Sequence, residues 1–464
     1  MNTKALRQKI LDLAIHGKLV PQDPNDEPAS VLLERIRAEK ERLIKEGKIK
    51  RSKKTKATSD KPHYPYELPE GWVWCKLEDI ATFGGGKTPS MDIKEYWNKG
   101  KNLWVTSKDM KNDSIHDSLM KITDEALNIM TQYEKDTLLV VTRSGILRHS
   151  LPIAVLEKNA TINQDIKSIM PLNGIIPKFL FYAIKANENI ILTEYHKDGT
   201  TVDSIDFDKF KCLPIPLPPI NEQKRIITEV LKVSACIDCI DCGKADLYTA
   251  IAQAKSKILD LAIHGKLVPQ DPTDEPASEL LKRINPKAEI TSDNGHYQKL
   301  PEGWAILKVG NVAEYINGRA FKPEEWEQTG LPIIRIQNLN DPNAYYNRTK
   351  NEYEEKYLIK KGDLLFAWAA SLGTYIWKGE DAWLNQHIFK VIPYPFMDKK
   401  YLYYAFHAMI TEFYRKSHGS GMIHITRKQF EEITLWLPPL TEQYRIVQYL
   451  QQVFEKLDSI VENL

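Results

Sequence analysis

Apolar residues recur in alternating steps of four and three along three stretches of the chain, the spacing of a coiled-coil helix. The central stretch misses one step at Lys244 and otherwise uses Ile226, Val230, Val233, Ile237, Ile240, Leu247, Ile251, Ala254, Ile258 and Leu261. The C-terminal stretch uses Ile446, Leu450, Val453, Leu457, Ile460 and Leu464, and the N-terminal one uses Leu6, Ile10 and Leu13. These patterns predict long helices that pack along an apolar seam.

The N-terminal and central helices are predicted to end at the same dipeptide, His16-Gly17 and His264-Gly265. Glycine is favoured just after a helix, where the backbone turns left-handed, and a proline follows four residues later in both copies. A histidine at this place can meet the free carbonyl groups and the negative end of the helix dipole. We therefore interpret both histidines as capping residues.

The chain contains an internal repeat with three separate anchors. Residues 10–30 and 258–278 differ only at Asn25 and Thr273. The motif LPEGW occupies residues 68–72 and 300–304, and LPPINEQKRI at 217–226 matches LPPLTEQYRI at 437–446. Between the anchors the halves share only scattered echoes, such as an Asn-Gln pair at 163–164 and 385–386. The repeat predicts one fold made twice, with different surfaces.

Charge and composition restrict the function without deciding it. The 464 residues include 64 Lys and Arg against 62 Asp and Glu, so a nucleic-acid surface must be a local patch. Five cysteines, an odd number, do not make a disulfide framework. We find no apolar run of membrane-spanning length and no secretory signal, so we expect a cytoplasmic protein without membrane contact.

The order LPEGW, variable segment, LPPxxEQxRI and heptad helix, made twice, resembles the specificity subunits of type I restriction-modification systems. The resemblance covers nearly the whole chain, and it extends to shorter segments that look like recurring pieces of the family's recognition domains. These segments are GGGKTPS at 84–90, VTRSG at 141–145, GTT at 199–201 and GSG at 419–421.

The resemblance implies a non-catalytic, DNA-binding subunit of a defence system against foreign DNA. Each variable domain would read one half of a bipartite, asymmetric target in double-stranded DNA. The helices would dock two methyltransferase subunits, which recruit two restriction/translocase subunits. S-adenosylmethionine, ATP and Mg are expected on those partners, with no cofactor or metal on this chain. Consistently, neither Pro-Pro pair belongs to an Asn-Pro-Pro-Tyr-like motif for adenine methylation.

The predicted fold class is α+β, with two similar target-recognition domains separated by two long antiparallel coiled-coil helices. Through the repeat, Leu464 corresponds to Lys244 and Met1 to Thr249, so the termini together rebuild the central helix and the organisation is a cyclic pseudo-twofold. We predict an N-terminal helical segment with a basic linker (1–60), recognition domain 1 (61–220), central spacer helices (221–290), recognition domain 2 (291–440) and a C-terminal helix (441–464).

Candidate DNA contacts are Arg, Lys, Asn, Gln, Ser and Thr residues on predicted loops, because these side chains bond base edges and phosphates. They are Lys87, Thr88, Thr106, Ser107, Lys108, Arg143, Ser144, Arg148 and Thr200 in the first half, and Arg319, Arg335, Gln337, Asn338, Ser371 and Ser420 in the second. The candidate partner-binding residues are Leu13, His16, Leu19, Leu261, His264 and Leu267.

Two other functions remain open at this point. The segment from Ala81 to Thr88 fits a permissive phosphate-binding loop, which would make the chain a nucleotide-dependent enzyme using Lys87. However, Pro89 follows where a helix should begin. A freestanding two-domain DNA-binding or scaffold protein is the second alternative. The spacing of Cys236, Cys239 and Cys242 is that of metal ligands, but they step around a heptad helix without an adjacent fourth ligand, so helix packing is the preferred interpretation.

Overall fold

The computed structural model describes residues 2–49, 64–197, 202–284, 290, 300–341, 343–418 and 423–464. The chain forms two compact units, Met1–Cys242 (unit 1) and Gly243–Leu464 (unit 2). Both units combine helices with mixed sheets, which confirms the predicted α+β class. Most of the predicted basic linker, from residue 50 onward, lies outside the described residues.

Unit 1 begins with two helices, continues into small mixed sheets and ends in a long helix that continues into unit 2. Its helices are α1 (Thr3–Ile15), α2 (Ala29–Lys45), α3 (Leu77–Ile80), α4 (Asp124–Leu127), α5 (Pro177–Ala186), α6 (Glu188–Glu194), α7 (Phe207–Lys211) and α8 (Ile220–Ile263). Its strands are β1 (Val73–Lys76), β2 (Ala81–Gly85), β3 (Asn102–Val105), β4 (Ser114–Ile115), β5 (Met120–Ile122), β6 (Leu138–Val141), β7 (Ile153–Leu156), β8 (Ala160–Ile162), β9 (Ile166–Pro171), β10 (His196–Lys197), β11 (Ser204–Ile205) and β12 (Pro214–Leu217).

Unit 2 repeats this order of elements after α8. Its further helices are α9 (Ala277–Ile284), α10 (Ile336–Asn340), α11 (Lys399–Ala408), α12 (Ile410–Lys416), α13 (Arg427–Glu431) and α14 (Leu440–Glu462). Its strands are β13 (Ala305–Lys308), β14 (Ala313–Asn317), β15 (Leu331–Ile334), β16 (Asn347–Thr349), β17 (Leu358–Ile359), β18 (Leu364–Ala367), β19 (Gly373–Ile376), β20 (Ala382–Leu384), β21 (Ile388–Pro393) and β22 (Thr434–Leu437).

The sheets of the two units share a common arrangement, although the main sheet of unit 1 and the smaller sheet of unit 2 each have one additional strand. The main sheet has the order β2-β9-β6-β7-β4 in unit 1 and β14-β21-β18-β19 in unit 2. A smaller sheet contains β5-β3-β8 in unit 1 and β16-β15-β20-β17 in unit 2, and β3–β8 and β15–β20 are parallel pairs. A two-stranded ribbon closes each unit, β1 with β12 and β13 with β22. The prediction of one fold made twice is therefore confirmed.

Each unit also contains a pair of antiparallel spacer helices. In unit 1, Arg7 of α1 forms an ion pair with Asp238 of α8 at 2.6 Å, while the far end of α1 leads to Gln22, which bonds Glu222 near the start of α8. In unit 2, Lys255 of α8 forms the equivalent pair with Asp458 of α14 at 2.5 Å. The same helix pairing therefore occurs in both units. In unit 1, α1 packs against the first part of α8, and in unit 2, α14 packs against the last part of α8.

The predicted apolar seam is buried only in part. Ile226, Val230 and Ile237 are buried in the first half of α8 and Ile251 in the second, whereas Ile240 and Leu247 are each 37% exposed. The seam is therefore not buried at these two positions, which flank the missed step at Lys244. Heptad spacing specifies the face of a helix that a partner would cover, but it does not specify how far that partner extends.

The predicted ends of the helices are confirmed. Helix α1 ends at Ile15, followed by His16 as C-cap and Gly17 with a φ of 64°, and Gly265 repeats this φ after α8. The Nδ1 atom of His16 lies 2.6 Å from the carbonyl oxygen of Asp12. His264 repeats the contact with the carbonyl of Asp260 at 2.7 Å.

The largest apolar core of each unit lies between its main sheet and its helices. In unit 1 it includes Phe179 and Leu180 of α5 and Phe210 of α7. In unit 2 an aromatic cluster occupies the same place, with Phe366 of β18 at its centre and Phe406, Phe413 and Phe430 around it. These cores fix the strands whose ends carry the candidate DNA contacts. None of the described helices is long and apolar enough to cross a membrane.

Candidate nucleic-acid interface

The three repeated sequence anchors meet in each unit at one place, which we name the polar junction. It consists of Gln22, Asp26, Trp72, Glu222 and Arg225 in unit 1 and of Gln270, Asp274, Trp304, Glu442 and Arg445 in unit 2. One anchor supplies the first two residues of each set, LPEGW supplies the tryptophan, and LPPxxEQxRI supplies the last two. The repeat therefore preserves one structural connection.

A buried carboxylate is the centre of the polar junction. Glu222 is 1% exposed, and it accepts hydrogen bonds from Trp72 Nε1 at 2.9 Å and from Gln22 Nε2 at 3.0 Å. Glu442 is equally buried, and it accepts from Trp304 and Gln270 at 2.9 and 3.3 Å. Burial raises the pKa of both carboxyl groups, because removal from water disfavours the charged form.

An ion pair and a buried amide complete the connection. Arg225 contacts Asp26 at 2.7 Å, and the hydrogen bond to the guanidinium lowers the pKa of that carboxyl group. Next to Glu222, Gln223 accepts a hydrogen bond from the backbone N–H of Ile176 and donates one to the carbonyl of Pro218. The spacer helix is thereby held against the recognition domain at the start of α5. Gln443 does the same in unit 2.

The predicted partner-binding residues lie around this junction. His16 stacks on Tyr66, with the ring centres 3.9 Å apart. Leu19 and Leu267 pack partly buried against the apolar cores of their units. Leu13, Leu261 and His264 are also of intermediate exposure. These side chains therefore serve the fold in part while keeping some accessible surface.

Four loop segments converge at one edge of each recognition domain, and we name this set the recognition edge. In unit 1 it consists of residues 86–88, 106–109, 142–144 and 163–165. The segment at 163–165 is central to this edge. Three backbone hydrogen bonds connect the other three loops to this segment or to Ile162, the residue just before it. The bonds run from Lys87 N–H to the carbonyl of Ile162, from Asn163 N–H to that of Val105, and from Thr142 N–H to that of Asp165.

Unit 2 has the same recognition edge, made of residues 318–320, 335–338, 368–371 and 385–387. The three backbone hydrogen bonds recur, from Arg319 to Leu384, from Asn385 to Ile334 and from Trp368 to His387. Strand pairing explains the convergence: β3 and β8 are parallel, as are β15 and β20, so the loops that follow them emerge at the same end of the sheet.

The structure brings most of the predicted DNA contacts together on the recognition edges. These residues are Lys87, Thr88, Thr106, Ser107, Lys108, Arg143 and Ser144 in unit 1 and Arg319, Arg335, Gln337, Asn338 and Ser371 in unit 2. Thr200 and Ser420 lie outside the described residues. Lys87, Lys108, Arg143 and Gln337 have exposed side chains that form no hydrogen bond or ion pair with another described residue.

Several of the predicted contacts have side chains engaged within their own domain, among them Arg148, Arg319 and Asn338. Arg148 forms an ion pair with Asp203 at 2.6 Å. Arg319 contacts Glu325 at 2.7 Å, and this bond, together with a hydrogen bond from the backbone N–H of Lys322, lowers the pKa of Glu325 to about 2. Asn338 is 3% exposed and caps α10 while its amide bonds the carbonyl of Tyr345. We therefore omit Asn338 from the contacts proposed below.

Sequence reasoning did not select the residues at the centre of each edge. Gln164 and Gln386 are exposed at equivalent positions between β8 and β9 and between β20 and β21. His387 follows with a φ of 72°, and its Nδ1 is buried without a hydrogen-bond partner among the described residues. Burial and the nearby His424 lower its pKa. The repeated Asn-Gln pair was the available signal, but its place beside the other loops was not visible in the sequence.

The glycine-rich segment does not form a nucleotide-binding loop. Gly84 and Gly85 lie within strand β2, and after Thr88 the chain continues without an α-helix whose N-terminus would face a phosphate. The three closely spaced cysteines of α8 are exposed and free, and the described residues contain no group of His, Cys, Asp and Glu side chains able to hold a metal ion.

Comparison with known proteins gives a consistent result. The family model for the type I restriction modification DNA specificity domain matches residues 69–244 and 301–464. The chain is 27% identical to the type I restriction enzyme EcoAI specificity subunit of Escherichia coli, over 98% of this chain and 90% of that protein. It is 25% identical to the EcoEI specificity subunit of Escherichia coli, over 99% and 90%.

A solved structure shows a similar fold. The HsdS subunit from Thermoanaerobacter tengcongensis aligns over 86% of this chain and 93% of that chain, with a TM-score of 0.50 and 18% sequence identity.

Proposed function

Because this chain belongs to the type I restriction-modification DNA specificity family, we propose that each recognition edge reads one half of a bipartite, asymmetric DNA target. The chain would determine where a complex acts and would perform no chemistry. S-adenosylmethionine, ATP and Mg would be bound by partner subunits. On this chain the Pro-Pro pairs have a structural role, since the carbonyl of Pro219 accepts a hydrogen bond from the N–H of Gln223 at the start of α8.

One observation carries this proposal: the two recognition edges have the same backbone arrangement but present different side chains. Equivalent positions, matched by strand register, hold the exposed Lys108 and Gln337, and the exposed Arg143 corresponds to Ala369, which is buried. Lysine bonds guanine at O6 and N7, whereas glutamine bonds adenine through two hydrogen bonds. Two matched edges with different donors and acceptors suit a target whose halves differ in sequence.

We further propose that the surfaces around the two polar junctions dock two copies of a methyltransferase subunit, which then recruit two restriction/translocase subunits. The support is the near identity of residues 10–30 and 258–278, which extends to exposed residues. Pro21 and Pro269 are both exposed, for example, and so are Pro24 and Pro272. Two like surfaces on one chain suit two copies of one partner.

Mapping of N6-methyladenine in a genome tests the function. Cells that express the full chain with the adenine methyltransferase encoded beside it should methylate one split motif with a fixed gap, and cells without this chain should lose that methylation. Scattered methylation without a split motif would contradict the proposal.

Co-purification tests the docking separately. The full chain should purify with two copies of the methyltransferase. A chain that purifies alone and still binds DNA would instead be a freestanding DNA-binding protein.

A further inference from the structure

Strand register allows the two recognition edges to be compared position by position. Most of their exposed side chains differ between the units, but Gln164 and Gln386 are identical and both exposed. Each follows an asparagine and lies two residues after the end of the parallel strand pair, β3 with β8 in unit 1 and β15 with β20 in unit 2. The recognition domains have otherwise diverged widely, so this shared side chain requires an explanation that applies to both halves.

The backbone around each glutamine is held closely in the same way. A Cβ atom on Gly86 would lie 2.0 Å from the carbonyl oxygen of Ile162, and one on Gly318 would lie 2.0 Å from that of Asn385. No side chain fits in so short a distance, so glycine is required at both places. The Gln386 N–H donates to the carbonyl of Arg319 at 2.8 Å. Each glutamine is therefore presented from a fixed position beside the loop that carries Lys87 or Arg319.

The hydrogen bonding of Gln164 limits what it can recognise. Its Oε1 accepts a hydrogen bond from the hydroxyl of Thr88 at 2.5 Å. Its Nε2, with two N–H groups, has no partner among the described residues. A two-bond contact with adenine requires the amide to accept as well as donate. Because its oxygen already accepts one hydrogen bond and both of its N–H groups lack a partner among the described residues, Gln164 has more free donors than acceptors. It is therefore suited to donate to a group that only accepts, such as a phosphate oxygen.

We propose that Gln164 and Gln386 are equivalent contacts to the DNA backbone, each donating its side-chain amide to a phosphate at the same place in its half-site. This inference rests on the proposed function. A residue shared by two domains that read different sequences cannot distinguish those sequences, and the sugar-phosphate backbone is what both half-sites have in common. The shared glutamines set the position of the duplex, and the residues that differ read it.

The two contacts differ in the charge beside them. Lys87 is exposed next to Gln164 and has no partner among the described residues. The equivalent Arg319 forms an ion pair with Glu325 at 2.7 Å, and its guanidinium lies 4.2 Å from the ring centre of Tyr353. The first contact therefore pairs an amide with a free cation, whereas the second relies on the amide of Gln386.

The test uses the complex of the full chain with its methyltransferase and a duplex that carries the target mapped by methylation. Gln164→Ala and Gln386→Ala should each weaken binding about tenfold, since a hydrogen bond to a charged group is lost. Gln164→Glu should weaken it further, because a carboxylate repels phosphate. Both alanine variants should retain the base preferences of both half-sites. Gln132→Ala and Gln328→Ala are matched controls, because these glutamines are exposed outside the edges.

Two further measurements identify the phosphate. Replacing the contacted phosphate by a neutral methylphosphonate should weaken binding to the wild-type complex and have little added effect on the Gln164→Ala complex. Lys87→Ala should lower the slope of log affinity against log salt by about one, whereas Gln164→Ala should leave the slope unchanged, because glutamine carries no charge.

The outcomes separate this inference from the function on which it rests. A wild-type complex that binds no split target overturns both. If the wild-type complex binds its split target and both alanine variants bind it equally tightly, only the proposed contact with the DNA backbone is overturned. A variant that changes the preferred base in one half-site also overturns it, because the glutamine would then read sequence.

Discussion

At the scale of single residues, the repeat is explained by side chains that connect elements distant in sequence. Trp72 and Glu222 are joined by a 2.9 Å hydrogen bond, and Trp304 and Glu442 by one of the same length. Leaving a buried carboxylate without such partners costs about 1–3 kcal/mol or more. Divergence of the recognition surfaces therefore leaves these residues unchanged.

Gly17 allows a direct test of this packing. Its φ of 64° disfavours any side chain, and a Cβ atom would lie 2.3 Å from Cγ of Pro69. Gly47 has a similar φ of 70° and nothing within 4 Å of the added atom. We expect Gly17→Ala to lower the free energy of unfolding by at least about 1 kcal/mol more than Gly47→Ala, measured by urea denaturation. Equal losses would show that only the backbone conformation matters.

The ion pairs of the polar junctions predict a dependence of stability on pH. Hydrogen bonds from Arg225 and Arg445 lower the pKa of Asp26 and Asp274 below the ordinary 3.8. The folded state therefore favours the ionised carboxylates, and their stabilisation is present above pH 3.8 and lost as the pH falls below it.

Asp26→Asn and Asp274→Asn should therefore lower the free energy of unfolding at pH 7 and become progressively more like the wild type as the pH falls below 3.8. Chemical denaturation across this range measures the difference. Asp208→Asn is a control, because Asp208 is exposed away from the junction. A difference from wild type that stays constant down to the lowest pH would contradict the assignment.

At the scale of elements, the sequence correctly predicted which segments of the two halves are equivalent. It was less successful at predicting which residues lie close together in the fold. The repeat identified α1 with the end of α8, because the two segments share apolar spacing and an anchor sequence. It did not show that residues 106–109 and 163–165 lie side by side, since that depends on the parallel pairing of β3 with β8. Nor did it show that Asn338 turns inward to cap α10.

The loops after β3 and β15 should determine specificity independently. Lys108 and Gln337 are exposed at equivalent positions with different chemistry. We expect Lys108→Ala to relax base preference at one position of one half-site, and Gln337→Ala to do so in the other half-site, by about 1–3 kcal/mol each. Methylation rates on duplexes with single base changes measure this effect. Lys101→Ala, before β3 rather than after it, is the control.

A change of preference in both half-sites from either substitution would contradict the independence of the two edges. Unchanged preference throughout would remove these two residues from the reading surface.

At the scale of the whole molecule, the chain consists of two units with the same construction and different recognition edges. The repeat predicted this organisation because the anchors lie at the boundaries between constant and variable parts. Residues 73–216 and 305–436 fall between LPEGW and LPP in each half. Either variable part should therefore fold and recognise its half-site when it is joined to the polar junction of the other unit.

The central claim is that each variable part reads one half-site independently of the other. A chain in which residues 305–436 are replaced by a copy of residues 73–216 tests this claim most directly. Expressed with the methyltransferase, it should methylate a split motif built from two copies of the first half-site, and the second half-site should disappear from the methylation map. Retention of the original asymmetric motif would contradict the account.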